Sequence, residues 1–350
     1  MLNNIFQKQF LAITVFLFFV LCITSCTHQN KTDEKKHIDV SEVPLKLNFD
    51  RFDNDLMSPD SLNEKNVPAL KRKYGSFFTI FCRKICPIPV HMTSDTAIAR
   101  QLNFFKFDKD IKEIYSSIDT MYKDDHLLQQ QLTEVFKHYH HYYPDSIIPH
   151  VVTFFSAFNY ATITTDSILG IGLDFYLGSD CPFYTGTNFP TYLTKRLRGE
   201  YIVPNCVQGW YQKSNDINKV KNDLLSQMVY YGKMMYYTDL MMPDAPDSIK
   251  LGYSDMQVKW CAGNEANMWA ALIEQNLLYS TNMRQYMKFI SDGPTTQGFP
   301  KESPSRIGYY VGWQIVKAYM EKHPEITLAQ LCKEEDAQKI LNESKYKPNK

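Results

Sequence analysis

The chain offers two places where residue type and spacing specify chemistry. Cys26 closes the tetrapeptide ITSC, an aliphatic residue and two small residues before a thiol, directly after the apolar run Phe10 to Cys22. That order is the signature of a bacterial lipoprotein signal. It predicts cleavage before Cys26, a thioether to diacylglycerol and an amide-linked third acyl chain, enough to hold the protein on a membrane. The second place is Glu265. In Ser254 to Asn282, Val258, Cys261, Ala262, Met268, Trp269 and Leu272 fall on one helical stripe, and Glu265 lies in the middle of it. A carboxylate on an apolar face is paired, buried or functional. The pattern by itself favours a structural carboxylate satisfied by an arginine or by backbone amides. Arg306, in the first turns of the helical stretch beginning SPSRIGYY, is the expected partner, and Tyr309 beside it can face a cleft. Asp174 is a further acidic candidate.

Other chemistry-bearing groups are weaker. His138 and His141 stand three apart in HYHHYYPD and could share a helical face. No Cys or carboxylate completes a ligand set at metal spacing, so a solvated helix end, where imidazoles sit well near the carbonyls, is preferred. CRKIC puts Cys82 and Cys86 four apart, a spacing that by itself fits buried thiols better than a metal site. No metal and no cofactor is expected.

The elements that must position these residues are mostly helical. Residues 1–25 read as the signal and 26–40 as lipid anchor plus polar tether. Residues 41–350 read as one α+β domain, rich enough in apolar residues (44% of the chain) for a large core. The formal charge is zero, 38 basic against 38 acidic, which argues against nucleic acid as a partner. Val43 to Phe52 alternates apolar and polar like a half-buried strand. Helices are expected over Ser61 to Lys73, Asp110 to Tyr122 and Asp125 to Tyr143. Two β-rich runs follow, His150 to Tyr160 and Ser167 to Gly178, with TTDS as the turn before the second. Leu224 to Asp244, LLSQMVYYGKMMYYTDLMMPD, is apolar nearly all round and reads as a buried central helix. Ser303 and Pro304 suit the N-cap and first turn of a last long helix, whose Gly308 and Gly312 would let another backbone approach. Ser254 and Gln257 form a capping box.

The lipid signal, IGLDFYLG, YIVP, MVYYGKMMYYTDLMMPD, YSDMQVKWCAGNEANMW, LLYSTN and SPSRIGYYVGWQIVKAYME together resemble the gliding-motility lipoproteins of the GldB family, in that family's order and over most of the mature chain. The resemblance implies an envelope lipoprotein tied to gliding and to the type IX secretion machinery; Thr27, directly after Cys26, supplies no acidic retention signal and so points to the outer membrane. The resemblance also implies a distant likeness to gluzincin-type zinc peptidases, hence a zincin-like scaffold. In those enzymes one helix carries HExxH and a following helix adds a Glu. Leu224 to Met242 sits where the first would be and Glu265 where the second Glu would be. This chain has no HExxH, and no His on that helix. The expected function is therefore non-catalytic: a protein or peptide partner held in a degenerate peptidase-like cleft, with Ser167 to Gly178 as the edge strand that pairs with it. The alternative is a hydrolase built from Asp174, Glu265, Arg306 and the group His138 to His150. Glu265 near two or more of His138, His140, His141 and His150 would favour the alternative, and Glu265 paired with Arg306 or Lys233 would disfavour it.

Overall fold

The computed structural model describes residues 38–58 and 60–348, so the signal, Cys26 and most of the tether lie outside the described residues. In chain order the first half runs β1 (Phe49–Arg51), α1 (Phe52–Met57), α2 (Asn66–Ile80), α3 (Asp95–Phe107), α4 (Lys109–Met121), α5 (His126–Tyr142), β2 (His150–Phe154), β3 (Thr162–Thr164) and β4 (Ile168–Gly172). The second half is helical: α6 (Thr191–Thr194), α7 (Ile202–Ser214), α8 (Leu224–Met241), α9 (Asp247–Leu251), α10 (Asp255–Gly263), α11 (Glu265–Glu274), α12 (Met283–Ile290), α13 (Ile307–Lys322), α14 (Leu328–Lys333) and α15 (Ala337–Ser344). The class is α+β, mainly helical with one small sheet.

The sheet has the order β1-β2-β4-β3. β1, β2 and β4 are parallel, with Asp50 opposite Val152 and Val152 opposite Gly170, and β3 returns antiparallel with Ile163 opposite Gly170. This corrects the expected edge strand. Ser167 to Gly178 supplies β4, which is internal, because every residue from Ile168 to Gly172 is buried. A continuous apolar run belongs between two neighbours, since both its faces are covered. The alternation from Val43 to Phe49 is present as half-buried and exposed positions, but only its last residues pair as a strand. α2 starts five residues later than expected and runs into a π-helical turn, Phe81–Ile85. α3 was not expected. Its signal is Ser94, whose hydroxyl accepts from the Ala97 amide at 3.3 Å.

α8 is the central helix. Asp223 caps it by accepting from the Ser226 amide at 2.8 Å, and all its faces are largely buried. Its closest neighbour is α13. A Cβ on Gly312 would lie 1.9 Å from the Met228 carbonyl oxygen, and one on Gly232 would lie 2.2 Å from the Gly312 carbonyl oxygen. The two backbones therefore touch, which only glycine permits.

Two further helix boundaries differ from expectation. The stripe carrying Glu265 is not one helix. α10 keeps the Ser254–Gln257 capping box but ends at Gly263; Asn264 leaves helical geometry and α11 begins at Glu265. α13 begins at Ile307, not after Ser303. Arg306 is its N-cap in the left-handed region (φ 57°), and the Pro304 carbonyl accepts instead from Thr296 Oγ1 at 2.7 Å. The preceding loop is packed into the protein, with Thr296 and Ser303 fully buried.

Candidate functional site

Three segments distant in sequence meet in front of α13. Residues 192–201 contribute α6 and the turn after it, residues 246–260 contribute α9 and the first turns of α10, and residues 293–306 contribute the loop that ends at Arg306. They enclose a cleft of about 1090 Å³. A second, smaller cavity of about 260 Å³ adjoins it, lined by Phe175, Phe189, Leu193, Leu197, Ile249 and Leu251 among others. Arg196, Tyr201, Ile249, Gly252 and Arg306 line both.

The two arginines form the divide. Arg196 Nη2 donates to Asp292 Oδ1 at 2.7 Å, and Arg306 Nε sits 3.0 Å from the same oxygen. Arg306 Nη2 donates to the Leu251 carbonyl at 2.9 Å. Its guanidinium also lies over the rings of Tyr253 and Tyr309, at 5.8 and 5.1 Å from their centroids. Such stacking suits a planar, weakly hydrated cation. Gly252, at φ 68°, caps α9, and a Cβ there would come within 2.9 Å of Arg196 Cδ and 3.2 Å of Arg306 Nη2. Glycine is needed for both the turn and the arginines. Burial alone pulls the Arg306 pKa down, but Asp292, Tyr253 and Tyr309 outweigh it and hold the side chain firmly charged. Arg196 is pulled down by burial and by the neighbouring Arg306 charge. The wall of the large cleft carries six cations, Lys195, Arg196, Arg198, Lys259, Lys301 and Arg306, against Glu200, Asp255 and Glu302. Glu200 is already paired with Arg198 at 2.5 Å.

The expected site residues separate into three places. Arg306 lines the cleft. Tyr309 sits directly behind it, half-buried, its ring stacked on Tyr231 at 3.9 Å. Glu265 is elsewhere. Its carboxylate accepts from the Tyr346 hydroxyl at 2.7 Å and from the Tyr310 hydroxyl at 3.4 Å. The expected Glu265–Arg306 pair is therefore corrected: Arg306 faces Asp292, and phenols satisfy Glu265. Lys233 does not meet Glu265 either, and donates instead to the carbonyls of Glu334 (2.8 Å) and Cys332 (3.3 Å).

Asp174 is in the sheet layer. It is fully buried, and its Oδ2 accepts from the amides of Phe158 (2.7 Å) and Ser156 (2.9 Å). These hold a turn in which Ala157 and Phe158 both have positive φ. Burial lifts Asp174 from 3.8 to about 6, against the pull of those amides.

The histidines are not gathered around any carboxylate candidate. His150 Nε2 meets Asp50 at 2.8 Å beside Lys73, while His138 is buried and His141 exposed, so those two do not share a face. Among the described residues no three or more His, Cys, Asp or Glu come together in a way that could hold a metal. The six described cysteines are unbridged, and burial pushes Cys82 up to about 12 and Cys86 to about 11. Arg196, Gly252, Tyr253 and Asp292 were missed in the sequence. Their only local trace is the basic run in TKRLRGE and the turn-forming SDGP.

The family model described as "Gliding motility protein GldB" matches residues 33–348. No curated protein and no solved structure matches. The chain belongs to the GldB family, whose members are gliding-motility lipoproteins of the cell envelope. Among the described residues no helix is long and apolar enough to cross a membrane.

Proposed function

We propose that this GldB-family lipoprotein is a non-catalytic component of the gliding and type IX secretion apparatus. It holds a protein or peptide partner in the cleft between Arg196, Arg306 and Trp260, while a lipid anchor at Cys26 tethers it to the outer membrane. One observation carries the binding reading: two largely buried guanidiniums that share a single carboxylate oxygen both line an open, cation-rich cleft. Such an excess of buried positive charge is costly unless a ligand anion completes it. Trp260, Met256 and Tyr192 add apolar area on the wall, the mixture found where interfaces gain most of their energy. Among the described residues, the wall contains neither histidine nor cysteine. The proposed cleft is not the zinc cleft that the peptidase likeness implies, since no residue of α8 lines either cavity.

Site-specific photocrosslinking in intact envelopes tests this reading. A photoreactive residue at Met256 or at Lys301 should capture the same envelope protein, and the adduct should vanish in Arg196→Glu. The same probe at Phe104, exposed on α3 and away from the cleft, should not capture it. Capture from Phe104 with none from Met256 and Lys301 would move the partner surface elsewhere.

A further inference from the structure

We propose that the cleft captures the C-terminal end of a polypeptide: the α-carboxylate is bound by Arg196 and Arg306, and the last side chain, large and apolar, fills the adjoining cavity. This rests on the partner-binding reading above and names the chemistry of what is bound.

The charge argument comes first. Arg196 and Arg306 contact the same oxygen, Asp292 Oδ1, so two cations are served by one anion. Arg306 is only 8% exposed and the Arg196 side chain 22% exposed, so solvent screens the surplus poorly. Directed protein hydrogen bonds use Nη2 of each guanidinium, on Asp292 and on the Leu251 carbonyl; the Tyr309 hydroxyl also engages Arg306, whose Nε contact to Asp292 is coulombic, so the free donors are chiefly those of Arg196. Unused donors in a planar fork match a carboxylate. Asp292 is itself 41% exposed and lines neither cavity, so it holds the guanidiniums together from outside the cleft rather than sealing them.

The second argument concerns the neighbouring cavity. At about 260 Å³ it is just smaller than a pocket for a whole drug-sized ligand, which runs from ~300 to ~1,000 Å³. Phe175, Phe189, Leu193 and Leu197 give it an apolar lining. Apart from the two arginines, its amide side chains are engaged: Gln208 Nε2 donates to the Lys250 carbonyl at 2.8 Å, and Asn205 Nδ2 to the Tyr176 hydroxyl at 3.0 Å. It suits a single apolar side chain.

The two features share a wall, and that selects the ligand. Arg196 and Arg306 line both cavities, so the carboxylate and the apolar group must branch from nearly the same atom. A C-terminal residue has both on one Cα. An internal acidic residue next to an apolar one does not, because in an extended chain successive side chains point to opposite faces. Residues preceding the terminus then run out through the larger cleft past Trp260, Lys259 and Lys301, and capture of a terminal carboxylate by fixed donors is an established mode of peptide recognition.

Fluorescence anisotropy with the full-length lipidated protein in nanodiscs tests the proposal. The probe is an N-terminally fluorescein-labelled hexapeptide of alanine and serine ending in phenylalanine with a free carboxylate. The C-terminal amide of the same peptide, and the free acid ending in aspartate, should each bind at least tenfold more weakly. Arg196→Gln should weaken the free acid and erase the acid-to-amide ratio. Leu193→Glu should erase the preference for phenylalanine over aspartate, and thermal melting of both variants checks that they fold. Equal binding of acid and amide, no binding of either, or stronger displacement by laurate than by the unlabelled peptide would overturn C-terminal capture. If that happens while Met256 and Lys301 still crosslink their partner in an Arg196-dependent way, the partner cleft stands and only its ligand chemistry is wrong. Loss of both results removes both readings.

Discussion

Glu265 and Asp174 are carboxylates in apolar surroundings, and the fold satisfies them by different means. Glu265 is held by two phenols, one of them Tyr346 near the described C-terminal end. Tyr346→Phe should cost about 1.5–3 kcal/mol, the value of a hydrogen bond to a charged group, read as a lower urea midpoint with an unchanged slope. Asp174 is held by backbone amides and is raised from 3.8 to about 6 by burial. Its folded-state value lies above its unfolded one, so the native state holds more protons between the two. Stability from this group is present below 3.8 and is lost as pH rises through about 6, a swing on the order of 3 kcal/mol. Asp174→Asn keeps an acceptor for the two amides and removes the charge. Relative to wild type, the variant should therefore gain stability between about pH 4 and about pH 7, and urea unfolding at both values measures it. A gap that stays constant across that range would contradict the assignment. At this scale the sequence marks Glu265 as needing a partner, because the stripe around it is apolar. It does not say which partner, because Tyr346 is 81 residues away and arrives only through packing.

The seam between α8 and α13 is the part of the fold most legible in sequence. Gly308 and Gly312 recur at helical spacing, and α8 is apolar nearly all round. Gly312→Ala would put a methyl 1.9 Å from the Met228 carbonyl, where backbone rather than a movable side chain stands in the way. It should cost about 3 kcal/mol or more, at the upper end for overpacking. Gly263→Ala, at the last position of α10 with open space around it, is the matched control and should be neutral to slightly stabilising. Thermal melts of the two variants suffice, and equal losses would mean that the seam is not set by steric contact. Helix ends were less legible than helix faces. Ser303-Pro304 is a sound start signal, yet α13 begins at Ile307 because the loop before it is tied down by Thr296, Tyr253 and Leu251. Local capping preference, about 1 kcal/mol, is outweighed there by several tertiary contacts. The break at Asn264 is similar: an apolar stripe can continue across two helices, so periodicity alone does not reveal the interruption.

For the whole molecule, a formal charge of zero conceals an uneven distribution. Six cations face the cleft with three carboxylates on the same wall, although the chain balances 38 against 38. No window of sequence could show this, since the wall is assembled from segments about fifty residues apart that meet only when α8 and α13 are packed. The charge also makes a kinetic prediction. Lys259 and Lys301 have no carboxylate partner among the described residues and sit on the larger cavity, away from the apolar pocket. Exposed charges of this kind steer encounter more than they hold the bound state. Lys259→Glu combined with Lys301→Glu should therefore slow association of the free-acid peptide roughly tenfold and leave its dissociation nearly unchanged. Arg196→Gln should do the reverse, speeding dissociation, because its charge is largely desolvated and touches the ligand. Raising the salt shortens the screening length, from about 8 Å at physiological strength to ~3 Å at 1 M. The association difference between the double variant and wild type should then collapse, while the Arg196→Gln effect on dissociation should persist. Stopped-flow anisotropy at two salt concentrations separates the outcomes. If both variants act on the same rate constant with the same salt dependence, the cleft is a diffuse basic patch without a preformed carboxylate seat.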